Sequence, residues 1–335
     1  MNSLAMIIVI FFLVFAASGA EKNTVLEENF DGTEQMPSTL EGISRGASLS
    51  KVPGGKEGER LLVLEPNSSA IFKAVQLDPG TKYRLSFRAR SEGPDSLEEN
   101  PQLEEAFYDA NRGSKGLKLP GWALNFSSAD RSYCNTHILF PYHKVVLSEN
   151  FRTYSDVFYP APGSTQMKIR FENPSPENTL FIDDLKVEPF TESALNINPE
   201  FKLGKYNHSG FGQAGYGIDV RMTERPDGKG CFLNVNSWAS CDPVPVKGGK
   251  NYVFEARLAP NPPRGARIQI TFFDREMKEI RNAGGSVPVK KAEGSGKGNF
   301  IAPDNAAFAR MLIYGGKDCA FEYIRMIQQD MEMDQ

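Results

Sequence analysis

Histidine is scarce, at three in 335 residues, and the four cysteines show none of the spacings of a zinc site. Charge is nearly balanced, with 38 Lys and Arg against 42 Asp and Glu for a net of -4. That balance leaves no electrostatic footprint for nucleic acid or an anionic membrane surface. Helical periodicity over ten residues or more is almost missing, and "LEENPQLEEAF" at 97–107 is the one acidic, helix-tolerant exception. There is no phosphate loop, no Ser-His-Asp signature and no "E-x-D-x-x-E" run of a sandwich-fold glucanase.

What is there begins with "MNSLAMIIVIFFLVFAASGA", an apolar run from Ala5 to Ala17 followed by small residues at Ser18 and Ala20. The run is shorter than the ~20 apolar residues of a spanning helix, and the small residues suit signal peptidase. Its n-region has no Lys or Arg, and no Cys follows for a lipoprotein anchor. The expectation is a signal peptide over 1–20 and a secreted or periplasmic chain from Glu21. Glycine (30), proline (22) and phenylalanine (23) punctuate short apolar runs, which favours an all-β protein. In an exported chain Cys231, Cys241 and Cys319 permit at most one bridge in the second half, and Cys134 stands apart in the first.

The chain repeats itself. "YRLSFRAR" at 83–90 recurs as "YVFEARLA" at 252–259, and "AFYDANR" at 106–112 answers "TFFDREM" at 271–277. "DVFYPAPGSTQMKIRF" at 156–171 answers "GNFIAPDNAAFARMLI" at 298–313. "LFIDDLKV" answers "AFEYIRM" at 320–326, and the openings "LEENFDG" and "INPEFKLG" agree. The first copy then holds about 25 extra residues between Asp109 and Asp156. Each copy offers short alternating segments bounded by turn residues, so two antiparallel sandwiches or jelly rolls are expected in tandem, over 21–190 and 196–328. "EPFTESALN" at 188–196 is the expected linker.

The order of "ENFDG", "GERLLVLEP", "V-x-L-x-P-G-T-x-Y-x-L-S-F-x-A", "FYDANRG", "Y-x-D-x-F-x-A-P" and a closing "FIDDLKV" resembles the carbohydrate-binding modules appended to xylanases and glucanases. The resemblance covers most of residues 25–188 and, more faintly, 196–328. It implies a galactose-binding-like jelly roll, a polysaccharide or glycoconjugate as partner, and a structural calcium (Ca2+) tying the first strand to the last.

In "TLFIDDLKVEP" at 179–189, strand alternation puts Phe181, Asp183, Leu185 and Val187 on one apolar side. A carboxylate turned toward a core needs a partner. Calcium takes six to eight oxygens, so Glu28, Asp31, Asp183 and Asp184 are the expected metal residues of the first module. The competing reading has Asp183 hydrogen-bonded to backbone amides of the N-terminal turn, or paired with Arg170. The second copy, with Glu322 and Tyr323 at this place, is not expected to hold a metal. "DANRG" at 109–113 reads as a hairpin turn rather than a calcium loop, because no Glu completes it.

Sugar recognition needs flat aromatic faces and a few planar polar groups. Trp122, Tyr133 and Tyr142 in the first copy, with Trp238 and Tyr216 in the second, are the ligand-binding candidates. Trp122 also alternates with Leu124 and Phe126, the spacing of a core strand. His137 and His143, beside Tyr142, could serve a lyase, but no third partner is identifiable. Asn67, Asn125 and Asn207 lie in glycosylation sequons. The expected protein is thus a non-catalytic glycan binder. The alternatives are an envelope protein of structural or adhesive role, or a polysaccharide lyase or hydrolase.

Overall fold

The computed structural model describes residues 24–32, 37–51, 57–92, 102, 120–128, 131–134, 143–144, 149–207, 209–211, 220–316 and 319–329. The expected signal peptide lies outside them. Every named element is a strand. The first half contributes β1 (Leu26–Glu28), β2 (Leu40–Ile43), β3 (Ala47–Lys51), β4 (Arg60–Leu64), β5 (Ser68–Phe72), β6 (Val75–Gln76) and β7 (Tyr83–Ser91). It continues with β8 (Gly121–Ser128), β9 (Arg131–Cys134), β10 (His143–Lys144), β11 (Arg152–Phe158), β12 (Gln166–Asn173) and β13 (Leu180–Pro189). The second half has β14 (Val220–Glu224), β15 (Cys231–Val235), β16 (Trp238–Ser240), β17 (Val244–Pro245) and β18 (Asn251–Leu258). After it come β19 (Ala266–Phe273), β20 (Gly285–Val289), β21 (Ser295–Ile301), β22 (Phe308–Tyr314) and β23 (Cys319–Gln329).

These strands build two antiparallel sandwiches of one topology. In the first, a clasp sheet runs β11-β7-β13-β4-β3 with β1 added on β13, and a face sheet runs β10-β8-β12-β5-β2 with β6 on β12 and β9 on β8. In the second, the clasp sheet runs β21-β18-β23-β15-β14 and the face sheet β20-β19-β22-β16, with β17 on β22. Substituting each strand by its repeat partner turns one order into the other, except that β1, β2 and β9 have no counterpart among the described strands of the second module. Alternation explains the assembly: β12 buries Met167, Ile169 and Phe171, and β22 buries Ala309, Met311 and Ile313, each against its own clasp sheet.

The repeat extends to the backbone. Phe30 and Phe201, one in each opening motif, have φ of 58° and 56° and are fully buried. An aromatic residue in the left-handed region costs about 1–2 kcal/mol, so in both modules core burial of the ring holds a strained turn in place.

Two expectations from the sequence are corrected here. The extra length of the first copy lies before β8, not after "AFYDANR": residues 92–120 separate β7 from β8, whereas residues 259–265 separate β18 from β19. The strand in the place of β19 is "GWALNFSS"; "AFYDANR" and "DANRG" fall outside the described residues. Short alternating strands resemble one another, so local similarity chose the wrong partner.

The parity of β13 also fails, because the strand is bulged. Its register against β7 shifts between Asp183 and Lys186, and Asp184 takes a φ of 48°. Leu180 and Ile182 face the core before the bulge, and Leu185 and Val187 after it. The inserted residue puts both Asp183 and Asp184 off the core face, and Phe181 with them, under the Arg90 guanidinium. The second module repeats the device: β23 shifts register at Glu322, between Phe321 and Tyr323.

The modules are joined by a built interface. Lys82, only 6% exposed, donates to Glu192 Oε2 at 3.1 Å, the Ala194 carbonyl at 2.8 Å and the Asn196 carbonyl at 3.1 Å. Tyr159 donates its hydroxyl to the Leu195 carbonyl at 2.7 Å, and Asn196 bridges to Ile324 and Met326 of β23. Val157 and Tyr159 belong to the second module's core cluster. The expected linker is therefore packed in place, not a loose tether.

Candidate functional site

β1 lies antiparallel on β13, with Glu28 opposite Leu185, so the opening turn reaches the acidic bulge. The Glu28 carboxylate is used locally: it accepts the Phe30 N–H at 2.8 Å and the Thr39 hydroxyl at 2.6 Å. Asp31 accepts the Arg60 N–H at 3.0 Å. Arg88 Nη1 stands 3.6 Å from Asp183 and 3.1 Å from Asp184. Partial burial, then the neighbouring Asp184, push the Asp183 carboxyl up to about 6, and Asp31 adds to the same direction. Arg170, the partner weighed from sequence, pairs with Glu172 instead. In the second module Arg257, the repeat partner of Arg88, lies 3.3 Å from Glu322. An arginine on the neighbouring strand thus answers the acidic bulge in both copies. Among the described residues no group of three or more His, Cys, Asp or Glu is placed to hold a metal ion.

The aromatic candidates separate. Trp122 is 4% exposed and meets Phe87 edge-on at 5.1 Å, inside the first core, which withdraws it as a ligand-binding residue. Its spacing with Leu124 and Phe126 is that of an inward strand face. Tyr133 belongs to β9, beside β8, and His143 to β10, opposite Trp122. Tyr142, Tyr216 and His137 lie outside the described residues.

Trp238 is different. It begins β16 opposite Tyr314 of β22, which is opposite Arg267 of β19. Ala239, Ile313 and Ile268, the next residue on each strand, are buried, so the three form one row across the outer side of the face sheet. Two strand spacings make that row roughly 10 Å long. The exposed Arg267 guanidinium sits over the Tyr314 ring, 4.6 Å from its centroid. Tyr314 in turn donates its hydroxyl to Gln269 at 3.4 Å. Trp238 itself is only partly buried, its inner edge against the core. Sequence reasoning found Trp238 but missed Tyr314, Arg267 and Gln269. Their signal was the polar and aromatic phase of "ARIQITFF" and "FARMLIY", which pairing alone brings together.

The matching row of the first module is Ser69, Glu172 and Gly121. Beside it Arg170 pairs with Glu172 and Lys168 with Glu41, so among the described residues this row carries ion pairs where the second module's row carries aromatic rings. A recess of about 610 Å³ opens at one end of the second module, between Lys247, Asp274, Arg275, Glu276, Asp304 and Asn305. It has no aromatic lining. Cys231, Cys241 and Cys319 are buried free thiols, and burial pushes Cys241 up to about 12 and Cys319 to about 11, out of nucleophile range.

No family model matches the chain, and no curated protein matches it. Among solved structures the chain is similar to the N-terminal CBM22-1-CBM22-2 tandem domain of Paenibacillus barcinonensis Xyn10C, at 9% identity, 94% of this chain, all of that one, and a TM-score of 0.33. A C-terminal family 22 carbohydrate binding module of Clostridium thermocellum Xyn10B matches at 12% identity, covering 51% of this chain and 98% of its own, with a TM-score of 0.31. TmCBM61, solved in complex with β-1,4-galactotriose, matches at 16% identity over 45% of this chain and 86% of its own, with a TM-score of 0.26. Scores of this size carry no argument about function, which rests on the chain's own surface.

Proposed function

We propose that this is a secreted, non-catalytic glycan-binding protein whose working surface is the outer side of the second module's face sheet. The observation that carries the reading is the row Trp238, Tyr314 and Arg267, two aromatic side chains and a planar cation on adjacent strands, with Gln269 beside it. Partly exposed rings offer faces to pyranose C–H groups, and Arg and Gln supply planar donors and acceptors for hydroxyls. Strand pairing holds them in register before any ligand arrives, which lowers the ordering cost of binding.

In the first module we keep calcium as a proposal for Asp31, Asp183 and Asp184. Burial chiefly raises the Asp183 carboxyl, and the charges of Asp184 and Asp31 add to that shift. The three would have to draw together around the ion, since they are not grouped to hold one. Glu28 is left out because both of its oxygens are engaged. Arg88 and a cation compete for the same negative charge there.

Affinity electrophoresis of the whole chain against a panel of soluble polysaccharides tests the function. Retardation by at least one glycan, lost in Trp238→Ala, is expected. Migration unaffected by every glycan would sink the reading and favour a structural or adhesive role.

A further inference from the structure

We infer that the Trp238, Tyr314 and Arg267 row selects a glycan bearing carboxylates, a uronic-acid polymer, an inference that rests on the glycan-binding reading above. The first support is the charge of the sheet. Strands β16, β19, β20 and β22 contain no Asp or Glu, while Arg267 is exposed on their outer side. Asp242, on the loop after β16, is engaged at the interface between modules, facing Asp156 and Arg310. The Arg264 side chain packs against Gly316, two residues beyond Tyr314.

The second support is how the arginines are used. On the clasp sheet Arg257 is answered by Glu322 and Arg325 by Glu200, and Arg225, just past β14, is answered by Glu322 as well. Arg267 is given an aromatic ring in place of a carboxylate. Stacking fixes the plane of the guanidinium and leaves its N–H edge for a planar, bidentate anion, which a sugar carboxylate is and a hydroxyl is not. The comparison within the molecule points the same way. Where the second module has Tyr314 the first has Glu172, already paired with Arg170, a row that would repel such a ligand. With a net charge of -4 the whole chain gains nothing from a polyanion by bulk attraction, so capture has to be local.

The test is affinity electrophoresis against polygalacturonate, alginate and glucuronoxylan, each run beside its carboxyl-reduced, neutral form, with wild type, Arg267→Gln and Trp238→Ala. Wild type is expected to be retarded at least tenfold more strongly by one acidic polymer than by its reduced form, with the preference falling as salt rises. Arg267→Gln is expected to bring the ratio of acidic to neutral retention close to one, a readout independent of how far it weakens retention by the neutral form, and Trp238→Ala to lose retention by both. Equal or stronger retention by the neutral forms, or binding to a neutral glycan only, overturns this inference and leaves the glycan reading standing. Absence of retention by every acidic and neutral polymer overturns both. Circular dichroism of each variant confirms that it is folded.

Discussion

The ammonium of Lys82, in the turn before β7, lies 2.8 Å from the carbonyl of Ala194, on the segment that enters the second module. Burial lowers its pKa, and Glu192 at 3.1 Å works against that shift. One cation satisfies three acceptors and so holds the modules in a fixed relation.

Lys82→Met should leave Glu192 and two inward-facing carbonyls without their donor. A loss of about 3 kcal/mol is expected, the scale for breaking a buried charge pair. Urea unfolding followed by tryptophan fluorescence should show one transition in the wild type and two in the variant. A single transition at an unchanged midpoint would mean that the modules are coupled elsewhere.

Gly210 offers a second probe of the same junction. Its φ is +81°, and a Cβ there would stand 2.6 Å from Ile197 Cβ. Gly210→Ala should therefore strain the turn and displace the entry segment, with greater proteolytic cutting near residues 195–210 than in the wild type. Cutting at the wild-type rate would show that the turn adapts.

Acidification should tighten the junction. Burial and then the facing Asp156 push the Asp242 carboxyl up to about 7, with Arg310 acting in the opposite direction. A folded-state pKa above the unfolded value means that the native state binds the extra proton, so stability rises as pH falls from about 7 toward 4. Asp183, at about 6, contributes with the same sign over the lower part of that window. The melting temperature is expected to be higher at pH 5.5 than at pH 8, and Asp242→Asn should raise the pH 8 value and flatten the profile. A melting temperature that instead falls from pH 8 to 5.5 would contradict the assignment.

The two tryptophans should behave as opposites. Trp122→Ala empties a site between Phe87 and the face sheet and is expected to cost about 3–5 kcal/mol. Trp238→Ala removes a partly exposed ring at the edge of the core, so its main effect should be on glycan affinity, at least tenfold or about 1.4 kcal/mol. Equal effects on stability would place Trp238 in the core as well.

Calcium at the clasp predicts a melting midpoint lower in EDTA than in calcium chloride. The difference should grow in Arg88→Gln, where the acids lose their internal cation. Identical midpoints for both proteins in both buffers would remove the metal.

Much of this architecture is legible in the chain because alternation and duplication are local patterns. "YRLSFRAR" and "YVFEARLA" do form equivalent strands, and the Glu322–Tyr323 pair does stand at the place of Asp183–Asp184. Parity misled at β13 because a bulge inserts one residue without any mark in composition, and everything beyond it changes face. The row on the second module was missed for a related reason: Trp238, Arg267 and Tyr314 are far apart in sequence and meet only through strand pairing.

The sequence by itself determined an all-β chain built twice, with its apolar residues in strand phase and an acidic pair near the end of the first copy. Only the tertiary structure decided which tryptophan is core and which is surface, that Arg88 answers the acidic pair, and that the linker is buried on Lys82. The reason is that burial and charge pairing are properties of contacts between strands, and the order of strands in a sheet is a long-range choice that no short window of residues contains.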